Sequence, residues 1–120
     1  MAAISYTITA TFEDAAVAEE WLRWLEGGHI AAVLAAGASD AEVVELDGPA
    51  RRIEVRYHFP SRDILTRYEQ QDAPRLRAEG LQRFPPERGI VYSRSTGAVR
   101  VREVAGERRG SPLPSSEPPG

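Results

Sequence analysis

His29 is the residue whose type and position most clearly suggest chemistry. It follows the pair Gly27-Gly28 and comes shortly after two tryptophans, Trp21 and Trp24. If a helix restarts at His29, the imidazole lies in its first turn, where the helix dipole disfavours protonation. A neutral imidazole could act as a base, or donate a hydrogen bond, to a planar substrate held between helix and sheet. His29 is therefore the candidate catalytic residue, with Trp24 and Tyr6 as candidate ligand-binding residues.

A structural role would explain the same residues without any chemistry. His29 can cap its own helix or satisfy a buried carbonyl, and tryptophans at helical spacing usually pack in a core. Both interpretations remain open at the level of the sequence.

A second candidate site consists of Arg56 and His58, with Glu54, Thr7 and Thr9 nearby. These residues alternate with apolar ones along two predicted strands, so they share one face of a sheet. Across a dimer these side chains would line a charged cavity, and such a cavity would suit a small anionic or polyol ligand. The alternative is a solvated ladder of cross-strand ion pairs.

Several kinds of site are excluded by composition. The 120 residues contain no Cys, all 15 basic residues are Arg, and only 2 are His. Disulfides, thiolate nucleophiles, Schiff-base lysines and closed zinc sites are therefore not expected, nor is any other metal site. The chain has no phosphate loop, dinucleotide fingerprint or G-x-S-x-G turn, so we expect no cofactor.

Charge and hydropathy argue against nucleic-acid and membrane partners. The net charge is -3, and the polar face described above carries no Phe, Tyr or Trp on which bases could stack. No apolar run approaches the roughly 20 residues that cross a bilayer. We therefore expect a soluble cytoplasmic protein.

The first half of the chain predicts a strand, a broken helix and a second strand. Residues 4–12 alternate between apolar and polar types, which is typical of a half-buried strand. Asp14 can cap the helix that follows, and Gly27-Gly28 should interrupt it, since each glycine costs about 1 kcal/mol in a helix interior. A short helix over 29–36 and a strand over 42–46 come next.

The second half repeats this order. Residues 52–59 alternate again, and Ser61 can cap the next helix. Asp72 precedes a helix restart at Pro74 and is predicted to cap it, while Tyr68 is predicted to lie in the core. Residues 89–104 form the last predicted strand, with a bulge or turn at 95–97.

These elements predict an α+β fold of the ferredoxin-like βαββαβ type, with an antiparallel four-stranded sheet and two helices on one face. The domain spans 1–104, and the Pro-, Ser- and Gly-rich residues 105–120 are predicted to be a disordered tail. The other face of the sheet is left uncovered. It is either solvated or packed against the sheet of another copy.

Two segments resemble an uncharacterised, mostly bacterial family, domain-of-unknown-function family 4286. The first runs from Trp21-Leu22-Arg23-Trp24-Leu25 through His29-Ile30 to Val33-Leu34-Ala35-Ala36-Gly37, and the second from Tyr68 through Ala73-Pro74-Arg75-Leu76-Arg77-Ala78-Glu79-Gly80-Leu81 to Phe84. The chain departs from the family pattern at Ala31 and Ala36, which replace a Pro and a Thr. An additional glycine precedes His29.

The resemblance implies a dimeric α/β-barrel protein, in which two ferredoxin-like sheets face one another. That group includes cofactor-independent monooxygenases, haem-degrading proteins, isomerases and proteins with no known reaction. A homodimer through the open sheet face is thus implied, but a shared fold does not imply a reaction.

Two functions therefore remain in competition. The first is a non-catalytic regulatory or scaffolding module, which the lack of a complete acid, base and nucleophile set favours. The second is a small-molecule-binding protein or cofactor-independent enzyme, with a pocket at His29, Trp24 and Tyr6 or at Arg56 and His58. Whether the chain is an enzyme is left open by the sequence.

Overall fold

A computed structural model describes residues 2–105, and within that range four antiparallel strands form one sheet. The strands are β1 (Ile4–Phe12), β2 (Asp40–Glu45), β3 (Arg51–Phe59) and β4 (Ile90–Ala98). Their order across the sheet is β2-β3-β1-β4. The first and third strands are thus the central neighbours.

The helical segments are α1 (Ala15–Trp24), α2 (Ile30–Ala35), α3 (Arg62–Gln71) and α4 (Ala73–Arg83). A π-helical turn (Leu25–His29) joins α1 to α2, and a 3-10 turn (Pro86–Arg88) precedes β4. Each predicted helix is therefore divided into two segments. The structure has an antiparallel four-stranded sheet with helices, while the simple six-element order is not reproduced element for element.

Two predicted N-caps are present. The Asp14 carboxylate accepts a hydrogen bond of 2.8 Å from the Ala16 amide, and the Ser61 hydroxyl accepts one of 3.2 Å from the Ile64 amide. Each satisfies an amide that has no partner inside its helix.

The predicted cap at Asp72 is wrong. Asp72 precedes α4, but its backbone is helical and its side chain makes no capping hydrogen bond. Its carboxylate accepts instead from Arg75 at 3.4 Å. The reason is that Asp72 still belongs to the last turn of α3: its amide donates to the Tyr68 carbonyl at 2.9 Å, and its helical backbone differs from the extended backbone of a capping residue.

The predicted interruption at Gly27-Gly28 is confirmed. Gly28 has a non-helical backbone with a φ of 143°, and this kink lies between α1 and α2. His29 has a helical backbone and makes no capping hydrogen bond, so the predicted capping role is not observed. It lies at the junction of two segments.

The last strand is shorter and more regular than predicted. Residues 90–98 pair with β1 in unbroken register, so there is no bulge at 95–97. The ladder ends because Ala98 already opposes Ile4, the first residue of β1. The predicted tail, 105–120, lies outside the described residues apart from Ala105.

One face of the sheet carries the core. Residues that are opposite in the register share a face, and buried side chains from all the helical segments cover the same apolar rows. Tyr6 contacts Tyr68 of α3, and Phe12 contacts Trp21 of α1, with ring centroids 6.3 and 5.4 Å apart. The helices therefore lie on one side, and no helix among the described residues is long and apolar enough to cross a membrane.

The opposite face, which we call the open face, is largely polar. β1 contributes Ser5, Thr7, Thr9 and Thr11, and β3 contributes Arg52, Glu54, Arg56 and His58. The edge strands depart from the expectation of a wholly polar surface, since Val44 and Val91 share this face and Val91 is 70% exposed.

Gly37 gives a test of the packing between α2 and α3. Its φ is 136°, and an added Cβ would lie 2.9 Å from Cγ2 of Ile64, whose branched side chain has little freedom to move. Gly48 has a similar φ of 127° but no atom within 4 Å of the added Cβ.

We expect Gly48→Ala to cost about 1 to 3 kcal/mol from backbone strain alone. Gly37→Ala should cost about 1 to 3 kcal/mol more, because the new methyl group also overpacks the site. Urea denaturation of both variants measures the difference, and equal losses would contradict this packing.

Candidate functional site

A cleft of about 130 Å³ opens on the helix side of the sheet, between the π turn, α4 and strands β1 and β4. We call it the His29 cleft. Aromatic and aliphatic side chains supply most of its wall, together with one His and two Arg. It is lined by Tyr6, Ile8, Trp21, Trp24, His29, Tyr68, Leu76, Arg77, Gly80, Leu81, Tyr92 and Arg94.

One wall of the cleft is a stack of two rings. The His29 imidazole lies against the Trp24 indole with centroids 4.1 Å apart and planes inclined by 22°. The π turn produces this arrangement, because it brings His29 back over the last residue of α1. Trp21 is instead buried against Phe12 and is a core residue.

Gly80 of α4 allows the Trp24 ring to take this position. A Cβ at Gly80 would lie 3.0 Å from Cη2 of the indole, closer than most neighbouring atoms tolerate. The Trp24 ring also contacts the Phe84 ring, with centroids 5.5 Å apart. Trp24 is thus held between α4 and His29 and is only partly buried.

His29 is biased toward its neutral form. Burial lowers the pKa of the imidazole below its ordinary value of 6.5, while the Glu79 carboxylate partly opposes this shift. The sequence predicted a neutral ring from the helix dipole, whereas burial is the larger physical cause.

The buried end of the cleft holds a polar network. Arg77 donates to the Tyr6 hydroxyl at 2.8 Å and to both oxygens of Glu69 at 2.8 and 2.9 Å. Its Nε is buried and, within residues 2–105, has no hydrogen-bond partner. This network fixes Tyr6 and leaves one unsatisfied donor beside it.

Two further tyrosines line the cleft near Arg94. Burial raises the pKa of Tyr68 to about 12, and it also raises the pKa of Tyr92 to about 12. Both hydroxyls therefore keep their protons at neutral pH and can donate. Tyr92 already donates to the Phe84 carbonyl at 2.8 Å.

Arg94 brings a positive charge to the cleft from β4. It is opposite Ile8 in the register, so it lies on the helix side of the sheet, and its side chain is exposed. It makes no ion pair with any residue in the range 2–105.

Arg56 and His58 lie on the open face, on the other side of the sheet from His29. Arg56 pairs with Glu54 at 2.7 Å and Glu42 at 3.6 Å. His58 donates from Nδ1 to Asp40 at 2.8 Å, and this hydrogen bond lowers the pKa of the Asp40 carboxyl. The two predicted ligand sites are therefore separate. The second consists of an ion pair within β3 (Arg56–Glu54), an ion pair between strands (Arg56–Glu42) and the hydrogen bond between His58 and Asp40.

The structure adds residues to the site that the sequence interpretation did not assign, among them Arg94, Gly80 and Arg77. Arg94 alternates with Ile90 and Tyr92 along β4, which indicates that it lies on the helix side of the sheet. The bulge predicted at 95–97 left this face assignment open. Gly80 interrupts an otherwise helical segment, which itself indicates close packing. Arg77 belongs to a segment that resembles the family, but its place in the site depends on its hydrogen bond to Tyr6, which is distant in the chain.

The match to a family model supports the sequence resemblance. The family described as Domain of unknown function (DUF4286) matches residues 3–93. This chain belongs to that family. Among curated proteins none matches the chain in sequence.

Solved structures with the same fold are distant in sequence. Two are described as dimeric ferredoxin-like proteins from an uncultured marine organism, and each is 14% identical to this chain. The first covers 86% of this chain and 100% of its own, with a TM-score of 0.65, and the second covers 85% and 98%, with a TM-score of 0.68. A conserved protein of unknown function from Bacteroides thetaiotaomicron is 8% identical and covers 82% and 98%, with a TM-score of 0.58. These likenesses show the fold.

The burial of His29 predicts its titration. In an NMR pH titration its midpoint should fall below 6.5, and Glu79→Gln should lower the midpoint further, because the opposing carboxylate is gone. A His29→Asn variant assigns the signal.

The same shift predicts a stability effect. Because the pKa is lower in the folded protein than in the unfolded chain, the contribution of His29 to stability is complete above about pH 6.5. This contribution to stability is lost as the pH falls from there through the folded-state pKa.

A midpoint at or above 6.5 in the NMR titration would contradict the burial of His29.

Proposed function

We propose that this chain is a small-molecule-binding protein that acts as a homodimer, with its ligand held in the His29 cleft. The observation that carries the proposal is the stacked wall of Trp24 and His29, which stands beside an apolar floor and is open on one side. Of the two functions that the sequence left in competition, the geometry favours binding, because the space between sheet and helices is not completely filled.

The size of the cleft limits the ligand. An apolar protein cavity of about 150 Å³ holds one benzene molecule. The His29 cleft, at about 130 Å³, therefore suits a single six-membered ring, with substituents that extend through the opening. The indole face of Trp24 favours a planar ring, since aromatic pairs gain about 0.5 to 1.5 kcal/mol beyond buried area.

The surroundings of His29 favour binding over turnover. A catalytic histidine is ordinarily oriented by a hydrogen bond from one ring nitrogen to a third group. Among residues 2–105 no protein group hydrogen-bonds to the His29 imidazole, which is positioned by stacking on Trp24. Its role in this proposal is to complete the aromatic wall and to present a neutral ring nitrogen to the ligand.

The open face supports the homodimer. Its charged groups largely neutralise one another in pairs, and Val44 and Val91 add apolar surface on the two edge strands. Two neighbours of the same fold are described as dimeric. A second copy would cover this face, leaving the His29 cleft accessible on the helix side.

Leu81 and Leu34 provide a matched pair of variants for the binding site. Both are partly exposed leucines on helices, 47% and 38% exposed, but only Leu81 lines the cleft. We expect Leu81→Ala to weaken the binding of a monocyclic aromatic compound about fivefold, because about 1 kcal/mol of apolar contact is lost.

Leu34→Ala should leave the affinity unchanged. Dissociation constants come from NMR titration of the whole chain. Equal weakening by both variants, or no binding of any monocyclic aromatic compound at millimolar concentration, would contradict the proposal.

Thr7 and Thr66 provide a matched pair for the dimer. Thr7 is at the centre of the open face, opposite Arg56, while Thr66 is exposed on α3. Thr7→Lys places a further positive charge beside Arg56 in the interface and should convert the dimer to a monomer.

Thr66→Lys should remain dimeric. Light scattering at micromolar concentration measures both masses. A monomeric parent protein, or a Thr7→Lys variant that stays dimeric, would overturn pairing through the open face.

A further inference from the structure

We infer that the ligand of the His29 cleft is a monocyclic aromatic carboxylate, whose ring lies against Trp24 and His29 and whose carboxylate is bound by Arg94 and the Tyr68 hydroxyl. This inference rests on the proposed function and adds the chemical class of the ligand. It follows from the distribution of charge around the cleft.

The charged side chains that line the cleft are both cationic, and the carboxylates of Glu69 and Glu79 lie outside the lining. The lining includes Arg77 and Arg94 but no Asp or Glu. The Arg77 charge is largely offset, because both oxygens of Glu69 accept hydrogen bonds from it. The charge of Arg94 is left without such compensation by any group between residues 2 and 105. An anionic group on the ligand would supply the compensating negative charge.

Arg94 differs in this respect from other arginines that pack against the helical layer. Arg88 pairs with Glu20 at 2.6 Å, and Arg75 lies near Asp72 and Glu79. Arg94 lines the cleft together with Tyr68 and Tyr92, and its charge lowers the pKa of both tyrosines against the larger effect of burial. Its guanidinium is therefore within electrostatic range of both hydroxyls.

Tyr68 is the better second donor. The Tyr92 hydroxyl is already used by the Phe84 carbonyl, whereas within the described residues Tyr68 donates to no protein group. A carboxylate accepts from a guanidinium and a phenol at once, since each of its oxygens has free lone pairs. Arg94 and Tyr68 would thus bind the acid group while the ring occupies the apolar part of the cleft.

The position of Arg94 in the sheet fits a ligand whose ring lies in the apolar part of the cleft and whose carboxylate lies beside Arg94. Residues that are opposite in an antiparallel ladder have Cβ atoms about 4.5 to 5.5 Å apart, so Arg94 begins directly beside Ile8 on the floor of the cleft. A long flexible side chain rooted there can reach a group attached directly to a ring in the cleft. A ligand with its acid on a long chain would place the carboxylate beyond this region.

The test compares benzoate with benzyl alcohol, which has a similar shape and no charge. NMR titration of the whole chain at low salt gives both dissociation constants. We expect benzoate to bind at least tenfold more tightly, because hydrogen bonds to charged groups are the stronger ones. The preference should decrease as salt is added, since Arg94 is exposed to solvent.

Arg94→Gln should reduce this preference to less than twofold, and Tyr68→Phe should weaken benzoate binding severalfold with little effect on benzyl alcohol. Arg62→Gln, which removes an exposed arginine from the start of α3, should change neither ligand. Because both Arg→Gln changes affect exposed side chains, we expect both variants to fold.

Equal binding of the two ligands by the parent protein would overturn the carboxylate assignment and leave the proposed function intact. A preference for benzoate that survives Arg94→Gln would overturn the role of Arg94. Failure of both ligands to bind would overturn this inference together with the proposed function.

Discussion

The contact between the Trp24 ring and Gly80 is the interaction on which the site depends. With no side chain at Gly80, α4 lies close enough to α1 for the indole to rest on its backbone. The other face of the indole is then available to His29, which the π turn brings back over it. A larger residue at Gly80 would displace the ring and close the space between helices and sheet.

The strict alternation of the two central strands separates the molecule into two surfaces with different properties. Apolar rows on β1 and β3 bind the helices, and the intervening polar rows form ion pairs on the open face. A ligand site and a subunit interface can therefore occupy opposite sides of one sheet. This separation is why a dimer through the open face leaves the cleft accessible.

The sheet could be predicted because its signals are local. The alternation of residues 4–12 and 52–59 and the caps at Asp14 and Ser61 follow from neighbouring residues alone. The kink between α1 and α2 could also be predicted, because Gly28 takes a φ of 143° that favours glycine. The failure of Asp72 as a cap could not, because its amide donates to the Tyr68 carbonyl at 2.9 Å and its backbone stays helical at the end of α3.

The site was predicted only in part. His29, Trp24 and Tyr6 were expected around one pocket, and the structure places all three in the lining of the cleft. Arg77 and Arg94 come from later elements, and their place beside these residues depends on how α4 and β4 pack.

Intermolecular NOEs from a bound monocyclic aromatic compound test the central claim most directly. The account predicts NOEs from the ligand ring protons to the Trp24 indole and to Gly80. NOEs to Thr7 or Arg56 on the open face, or a complete absence of NOEs at saturating ligand, would contradict it.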